Sequence, residues 1–88
     1  MTKEQLETHE TLWGELYDCI AVKVNDNLCF PAEFDDEGNQ IHIELEDETV
    51  ILIDRNDPIP CKNIGSGIFK IDYEGKNYEI MPLFNKED

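Results

Sequence analysis

The sequence predicts an α+β domain in which one N-terminal helix packs on a small antiparallel five- to six-stranded sheet or half-open barrel. Three observations lead to this prediction. A helix-capping pattern opens the chain, apolar and polar residues then alternate in short runs, and turn-forming residues separate those runs. At 88 residues the chain is expected to form one domain, with the helix at 1–17, antiparallel strands within 19–83 and a polar tail at 84–88.

Residues 2–5, Thr-Lys-Glu-Gln, match a capping box, in which the threonine hydroxyl and the glutamine side chain each accept a backbone N–H. The helix is therefore predicted to begin here, and to end between Gly14 and Asp18 because glycine weakens a helix interior. Its apolar side is predicted to cover the sheet, with Trp13 as the largest contact and His9 as a packed histidine. That side consists of Leu6, His9, Trp13, Leu16 and Tyr17.

Two strands are predicted after the helix, at residues 19–24 and 28–35, with the turn-forming segment Asn25–Asn27 between them. Pro31 has no backbone N–H, so the second strand is expected to lie at a sheet edge or to contain a bulge. A turn at residues 36–39 is predicted to lead into a third strand.

The register of the next strands is predicted from the requirement that apolar residues share one face. Pairing Asp35 with Gln40, and placing a turn at Asp47–Glu48, meets this requirement. The arrangement leaves Ile51 and Ile53 beside carboxylates, where another element covers them or they form an apolar docking patch. The pairs that follow are Phe34 with Ile41, Ala32 with Ile43, Glu33 with His42, Leu45 with Val50 and Ile43 with Leu52.

Residues 55–60 contain two prolines and are predicted to form an ordered loop, and a second loop is predicted at Gly65–Gly67. No GK[ST] motif follows these glycines, so they do not form a phosphate-binding loop. The last hairpin is predicted from residue 68 to residue 83. Its register pairs Tyr73 with Tyr78, Asp72 with Glu79 and Ile71 with Ile80. The acidic pair in this register is unfavourable by itself, because like charges repel across strands.

The charge pattern is the most unusual property of the chain. The formal net charge is −14, and the run between Lys23 and Arg55 contains ten carboxylates and no lysine or arginine. Because strands point alternate residues to opposite faces, the acids are expected to gather on one side of the sheet. Such a surface argues against direct binding of nucleic acid or of an anionic membrane, both of which attract lysine and arginine.

The cysteines and the N-terminus indicate a cytoplasmic protein. Cys19, Cys29 and Cys61 lack CxxC spacing, so reduced thiols are expected rather than a disulfide framework or a zinc site. The first residues contain no apolar signal core, and no apolar run is long enough to span a membrane.

No enzymatic activity, cofactor or metal is predicted. The chain has only two histidines, His9 and His42, so a cysteine–histidine pair is not expected. An acid pair such as Asp72 and Glu79 on an exposed face lacks the burial that raises a catalytic pKa. Residues 35–39 offer oxygen ligands to calcium but lack the EF-hand pattern, so a solvated acidic turn is the better interpretation.

The acidic strands favour a protein that inhibits a nucleic-acid-handling partner by mimicking phosphate charge. Duplex DNA carries one charge per roughly 1.7 Å, so ten charges correspond to about 17 Å, near the length of one five-residue strand. The predicted partner site is a basic cleft, and the oligomeric state is left open. The predicted partner-binding residues are Glu33, Asp35, Asp36, Glu37, Glu44, Glu46, Asp47, Glu48, Asp72 and Glu79.

The alternative function is a small structural or assembly subunit that binds another protein, or itself, through a sheet edge or the patch of Ile51 and Ile53. In that case the acids only keep the protein soluble. Salt separates the two functions, because a charge decoy loses its partner as ionic strength rises and an apolar interface does not.

Two resemblances accompany this interpretation. The order of a helix followed by short strands resembles the layout of Sm-like and SH3-like domains. The small size, acidity and strand content are similar to those of virus-encoded inhibitors, including anti-restriction proteins, anti-CRISPR proteins and the uracil-DNA glycosylase inhibitor. The second resemblance implies action in the cytoplasm of a host cell. It is one of composition, and it assigns no role to a particular residue.

Overall fold

The computed structural model describes residues 1–84, apart from the side chain of Phe34, as one helix and eight strands. An N-terminal helix on antiparallel sheet confirms the predicted α+β class. The predicted polar tail lies outside the described residues except for Phe84. The elements are α1 (Lys3–Asp18), β1 (Ala21–Val24), β2 (Asn27–Cys29), β3 (Ala32–Phe34), β4 (Gln40–Glu44), β5 (Val50–Asp54), β6 (Cys61–Gly65), β7 (Ile68–Tyr73) and β8 (Lys76–Leu83).

The strands form two antiparallel sheets that do not join into a closed barrel. The five-stranded sheet has the order β2-β1-β8-β7-β6, and the three-stranded sheet has the order β3-β4-β5. Neighbouring strands are consecutive in the chain except β1 and β8, whose pairing places the two ends of the strand region side by side. The larger sheet has five strands, within the predicted five to six. The total reaches eight because the strand predicted at 28–35 divides into β2 and β3, and because β6 was not predicted. Strand β6 lacks an alternating pattern, and its register shifts between Asn63 and Gly65.

Helix α1 begins at the predicted capping box. The Thr2 hydroxyl accepts the Gln5 N–H at 3.1 Å, and the Gln5 side chain accepts the Thr2 N–H at 3.0 Å. The helix continues through Gly14 to Asp18, so this glycine does not end it. The capping box is local in sequence, which is why it was predictable without knowledge of the fold.

The buried side of α1 is rotated from the predicted one. His9, Leu12 and Leu16 are buried, whereas Leu6 and Tyr17 are exposed. The helix rests on β6 and β4, one strand from each sheet. These three buried residues are spaced by three and four positions, so they form one narrow stripe along the helix that packs on the two strands.

The second predicted strand, residues 28–35, is two strands in different sheets. β2 pairs with β1, and β3 pairs with β4. Pro31 stands between them, where its missing N–H removes a ladder hydrogen bond and the chain passes from one sheet to the other. Both β2 and β3 are edge strands, so the predicted edge position is confirmed, and Pro31 separates the two strands instead of forming a bulge.

The registers predicted for β3, β4 and β5 are wrong by one residue. Because Val50–Ile53 is apolar at every position, the pattern does not show which side of β5 faces inward. Turn geometry decides: the turn after Leu45 has three residues, with Glu48 at a φ of 68°. The observed pairs include Ala32 with His42, Glu33 with Ile41, Phe34 with Gln40, Ile43 with Ile51 and Glu44 with Val50.

Ile51 and Ile53 belong to the core. Both have no exposed surface, so their coverage by another element is confirmed and the docking patch predicted there is wrong. The core joins the helix and the inner faces of both sheets into one cluster. Its members are Leu12, Leu16, Val22, Val24, Cys29, Ile41, Ile43, Ile51, Ile53, Cys61, Phe69, Ile71, Tyr78 and Ile80.

The register predicted for the last hairpin is wrong by two residues. A two-residue turn at Glu74–Gly75, with both φ angles positive, sets the observed pairing. A shift of two keeps every side chain on its predicted face but changes its partner. Asp72 therefore lies opposite Asn77 and Glu79 opposite Lys70, and the predicted like-charge pair is wrong. The observed pairs are Phe69 with Ile80, Lys70 with Glu79, Ile71 with Tyr78, Asp72 with Asn77 and Tyr73 with Lys76.

Truncating Ile53 to alanine tests its place in the core. We expect Ile53→Ala to lower the free energy of unfolding by about 2–5 kcal/mol, because it leaves a cavity among buried side chains. Ile64→Ala is the matched control, since Ile64 lies on β6 and is 46% exposed, and we expect a change within about 0.5 kcal/mol. Urea unfolding followed by circular dichroism measures both, and equal effects would contradict the buried position of Ile53.

Candidate acidic interaction surface

The two sheets differ in charge. The three-stranded sheet and its turns, residues 32–54, contain no lysine or arginine, and we call this unit the acidic sheet. The five-stranded sheet contains Lys23, Lys62, Lys70 and Lys76. The run without cations therefore folds into a structural unit of its own. Its carboxylates are Glu33, Asp35, Asp36, Glu37, Glu44, Glu46, Asp47, Glu48 and Asp54.

Eight of the ten predicted site residues lie on the acidic sheet, and all eight are exposed. They gather at the two ends of β4, about 13–17 Å apart for a five-residue strand. The first acidic cluster is Glu33, Asp35, Asp36 and Glu37, and the second acidic cluster is Glu44, Glu46, Asp47 and Glu48. The remaining two, Asp72 and Glu79, lie on the five-stranded sheet, so the structure does not place them with the others.

The β3–β4 turn is ordered by one of its own carboxylates. Asp35 Oδ1 accepts the backbone N–H groups of Glu37 at 3.1 Å and of Asn39 at 2.9 Å. These bonds hold Asp35 at a φ of 112°, where a side chain is strained. The Asn39 amide in turn donates to the Glu37 carboxylate at 3.1 Å. Asp35 is thus a turn-forming residue, while Asp36 is exposed at the tip.

The first acidic cluster is attached to the helix and to the end of β5 through Asn39. The Asn39 carbonyl accepts the Trp13 indole N–H at 2.9 Å and the Arg55 backbone N–H at 2.9 Å. The Arg55 guanidinium lies 5.3 Å from the centre of the Trp13 ring, which itself stacks on Tyr17. Trp13 therefore braces the turn from a half-buried position, rather than forming the centre of the helix contact.

The second acidic cluster is ordered in a similar way. Asp47 Oδ1 accepts the Thr49 backbone N–H at 3.0 Å, and the Leu45 N–H donates to the Thr49 carbonyl at 2.8 Å. Hydrogen bonds from Thr49, first from its side chain and then from its backbone, hold the pKa of Asp47 below its usual value. Lys76 has a small effect in the same direction. Asp47 is therefore ionised at neutral pH.

The carboxylates of the acidic sheet are not neutralised by folded-over cations. Among residues 1–84, no lysine or arginine nitrogen lies within 4 Å of an aspartate or glutamate oxygen. Lys23, Lys62 and Lys70 are exposed on the other sheet. The like charges of the acidic sheet therefore repel one another across water, screened only by salt.

Burial shifts the pKa values of the three cysteine thiols and of His9 toward the uncharged form. Burial raises the pKa of the Cys61 thiol to about 11, and it also raises the pKa values of Cys19 and Cys29. Burial lowers the pKa of His9, whose Nε2 has no hydrogen-bond partner within the described chain. Across residues 1–84, no group of three or more His, Cys, Asp or Glu side chains is placed to hold a metal ion. The absence of enzymatic activity stays a prediction.

The sequence interpretation missed an exposed apolar area on the five-stranded sheet. Leu28 and Phe30 point away from the core and are 54% and 72% exposed. Their alternation with Asn27 and Cys29 indicates two faces of a strand. This alternation does not show which face of the strand is buried, because each of the two faces contains at least one apolar residue.

A comparison of the chain with protein-family models finds no match, and comparisons with curated proteins and with solved structures find none either. In the described part of the chain, the one helix is too short and too polar to cross a membrane.

Replacing Asp35 tests its role as the organiser of the β3–β4 turn. We expect Asp35→Ala to lower the free energy of unfolding by about 0.5–2 kcal/mol, the range for a carboxylate that caps backbone N–H groups. Asp35→Asn keeps an acceptor and tolerates positive φ, so we expect a smaller loss. Thermal unfolding measures both variants. If Asp36→Ala destabilises the protein as much as Asp35→Ala, the assigned role is wrong.

The buried His9 predicts a pH dependence of stability. Its folded-state pKa lies below the ordinary value of 6.5, so the unfolded chain binds more protons between these two values. The stability that depends on neutral His9 is complete above about pH 7, declines as the pH falls below 6.5, and is lost as the pH falls through the lower folded-state pKa. The nearby charges of Asp54, Asp57 and Glu10 oppose this effect but are weaker than burial.

We therefore expect the unfolding temperature of the natural chain, relative to His9→Leu, to fall between pH 7.5 and pH 5. The comparison with His9→Leu removes the contribution of the many carboxylates, which both proteins share. Thermal unfolding across this pH range measures the difference. A difference that stays constant would show that His9 does not titrate in the folded protein below its ordinary pKa.

Proposed function

We propose that this protein is a non-enzymatic inhibitor that occupies the basic cleft of a nucleic-acid-binding protein through its acidic sheet. The observation that supports this proposal is the segregation of charge, since one of the two sheets carries carboxylates and no lysine or arginine. Solubility alone requires a net charge of only about 2–8 in a small domain. The larger charge, concentrated on one sheet, favours a cationic partner.

The spacing of the two acidic clusters supports phosphate mimicry. Their separation of about 13–17 Å is similar to the length of duplex that carries eight to ten phosphate charges at about 1.7 Å per charge. Both clusters lie on turns that are held by hydrogen bonds from backbone N–H groups. The backbones of these turns therefore have a defined shape before a partner binds, and the partner need not order them.

The alternative function is an assembly subunit. Ile51 and Ile53 cannot serve as its binding patch, because both side chains are buried in the core. Binding through a sheet edge is compatible with the fold, since β2 and β6 are edges of one sheet and β3 and β5 are edges of the other. An edge contact made of backbone hydrogen bonds depends little on salt, and this property distinguishes the two functions.

Two double charge reversals test the proposal. Asp36→Lys with Glu46→Lys changes one exposed carboxylate in each acidic cluster and leaves the turn-forming Asp35 and Asp47 unchanged. Glu7→Lys with Glu10→Lys is the control, because it makes the same change in net charge on the exposed side of α1. Both variants are expected to fold, since reversal of an exposed acid relieves like-charge repulsion.

The measurement is release of a labelled duplex oligonucleotide from a Cas9–guide complex, a restriction enzyme complex and a uracil-DNA glycosylase, at 50 and 300 mM KCl. We expect the natural chain to release DNA from at least one of these, with a half-maximal concentration at least tenfold higher at the higher salt. The cluster variant should lose at least tenfold in potency and the helix variant less than threefold. Equal potency of the two variants would contradict the proposal.

A further inference from the structure

The outer face of the five-stranded sheet has an apolar half. The strand registers place Leu28 beside Lys23, and Lys23 beside Met81. Ile68 and Met81 line the same surface depression, of about 260 Å³. The apolar face is defined as Leu28, Ile68, Met81 and Leu83, together with Phe30, which directly follows β2 and is 72% exposed.

Helix α1 rests on β6 and β4 and packs with the core on the other face of this sheet. The inward residues of β1, β2 and β8, among them Val22, Cys29 and Ile80, are buried, whereas Leu28 and Phe30 are more than half exposed. Several apolar side chains gathered on one face mark an interaction surface more strongly than the same side chains scattered singly.

The second acidic cluster lies beside this face, across strand β2. A depression of about 260 Å³ joins the β1–β2 turn to the β4–β5 turn, and its lining includes Asn25, Asn27, Glu46 and Asp47. The charge of Glu46 also reaches Cys29 of β2, where it contributes to the raised pKa of that thiol. Strand β2 therefore has an apolar surface on one side and the carboxylates of Glu46 and Asp47 on the other.

The lysine within the apolar face does not offset this charge. Lys23 shares its depression with the carboxylates of Asp26 and Glu79, so that part of the surface is close to neutral or acidic. The second acidic cluster belongs to a stretch, residues 32–54, that contains no lysine or arginine, so the side chains it places beside β2 are negative. A segment that covers both sides of β2 needs apolar side chains toward Leu28 and cationic side chains toward Glu46.

We infer that β2 is the centre of a docking surface for a basic protein segment, whose apolar side chains pack on Leu28 and Phe30 and whose lysines or arginines contact the second acidic cluster. The inference rests on the proposed function and deepens it, since it assigns the main contact to the second cluster rather than to the first. A second copy of the chain is a poorer occupant, because it would bring another net charge of −14 against the same surface.

Synthetic peptides test this surface independently of any DNA-binding target. The probes are a ten-residue peptide that alternates lysine with leucine and tryptophan, a peptide with the same lysines and glycine or serine between them, and the first peptide with glutamate for lysine. Titration into the isotope-labelled full chain, followed by amide chemical shifts, maps the contact. Fluorescence anisotropy at 50 mM KCl gives the dissociation constants.

We expect the lysine–leucine–tryptophan peptide to shift the amides of Lys23, Leu28, Glu46 and Met81, and to bind at least tenfold more tightly than either other peptide. Leu28→Ser with Phe30→Ser should reduce this affinity at least tenfold. Ile64→Ser is the matched control, an exposed apolar residue on the opposite edge strand, and should change it less than twofold. Glu46→Gln with Glu48→Gln should lower the affinity of the chain for both lysine-containing peptides.

Three results of the binding and sedimentation experiments would overturn the inference. They are amide shifts confined to the first acidic cluster, equal effects of the Leu28/Phe30 and Ile64 variants, and a dimer in sedimentation velocity that dissociates on Leu28→Ser with Phe30→Ser. Failure of the proposed function is seen separately, as intact DNA complexes in the release assay. Release of DNA that is unaffected by Leu28→Ser with Phe30→Ser would leave the proposed function standing and overturn this inference alone.

Discussion

Four isoleucines of the acidic sheet hold this protein together against its own charge. Ile41, Ile43, Ile51 and Ile53 are buried against the inner face of the five-stranded sheet and the helix. Complete burial of such a side chain contributes about 1.5–3 kcal/mol, whereas two carboxylates about 5 Å apart repel by roughly 0.8 kcal/mol in water. The apolar contacts oppose the repulsion between exposed acids on the same strands, and the folded sheet presents a dense negative surface.

The turns that carry the acids also depend on acids for their shape. Asp35, Asp47 and Asp54 each accept a backbone N–H two residues further along the chain. Neutralising every carboxylate of the acidic sheet would therefore disturb its turns as well as its charge. The neighbouring carboxylates at the turn tips, such as Asp36, are exposed and can be changed without loss of these hydrogen bonds.

The acidic surface and the apolar face lie next to each other because the chain passes from one sheet to the other at Pro31. At Pro31 the chain leaves the five-stranded sheet and enters the acidic sheet, so β2 is an edge strand beside the second acidic cluster. An interface built on both surfaces would combine charge, which steers association and weakens with salt, with apolar contact, which does not weaken with salt. A protein that uses both kinds of contact would bind fewer kinds of partner than one that uses charge alone.

The sequence by itself determined the features that depend on neighbouring residues or on composition. The capping box at Thr2 and Gln5 is formed by residues within one helical turn, and the run without cations after Lys23 remains acidic in any fold. The α+β class followed from one helical segment before several short alternating segments. These features required no knowledge of which strands pair.

Only the tertiary structure decided the features that depend on contacts between distant segments. Val50–Ile53 is apolar on both sides, so the β4–β5 turn, and not the pattern, turned Ile51 and Ile53 inward. The partners of Asp72 and Glu79 depended on a two-residue turn, and the exposure of Leu28 depended on which face of β2 packs against the core. Alternation defines two faces of a strand, but packing against the rest of the chain determines which face is buried.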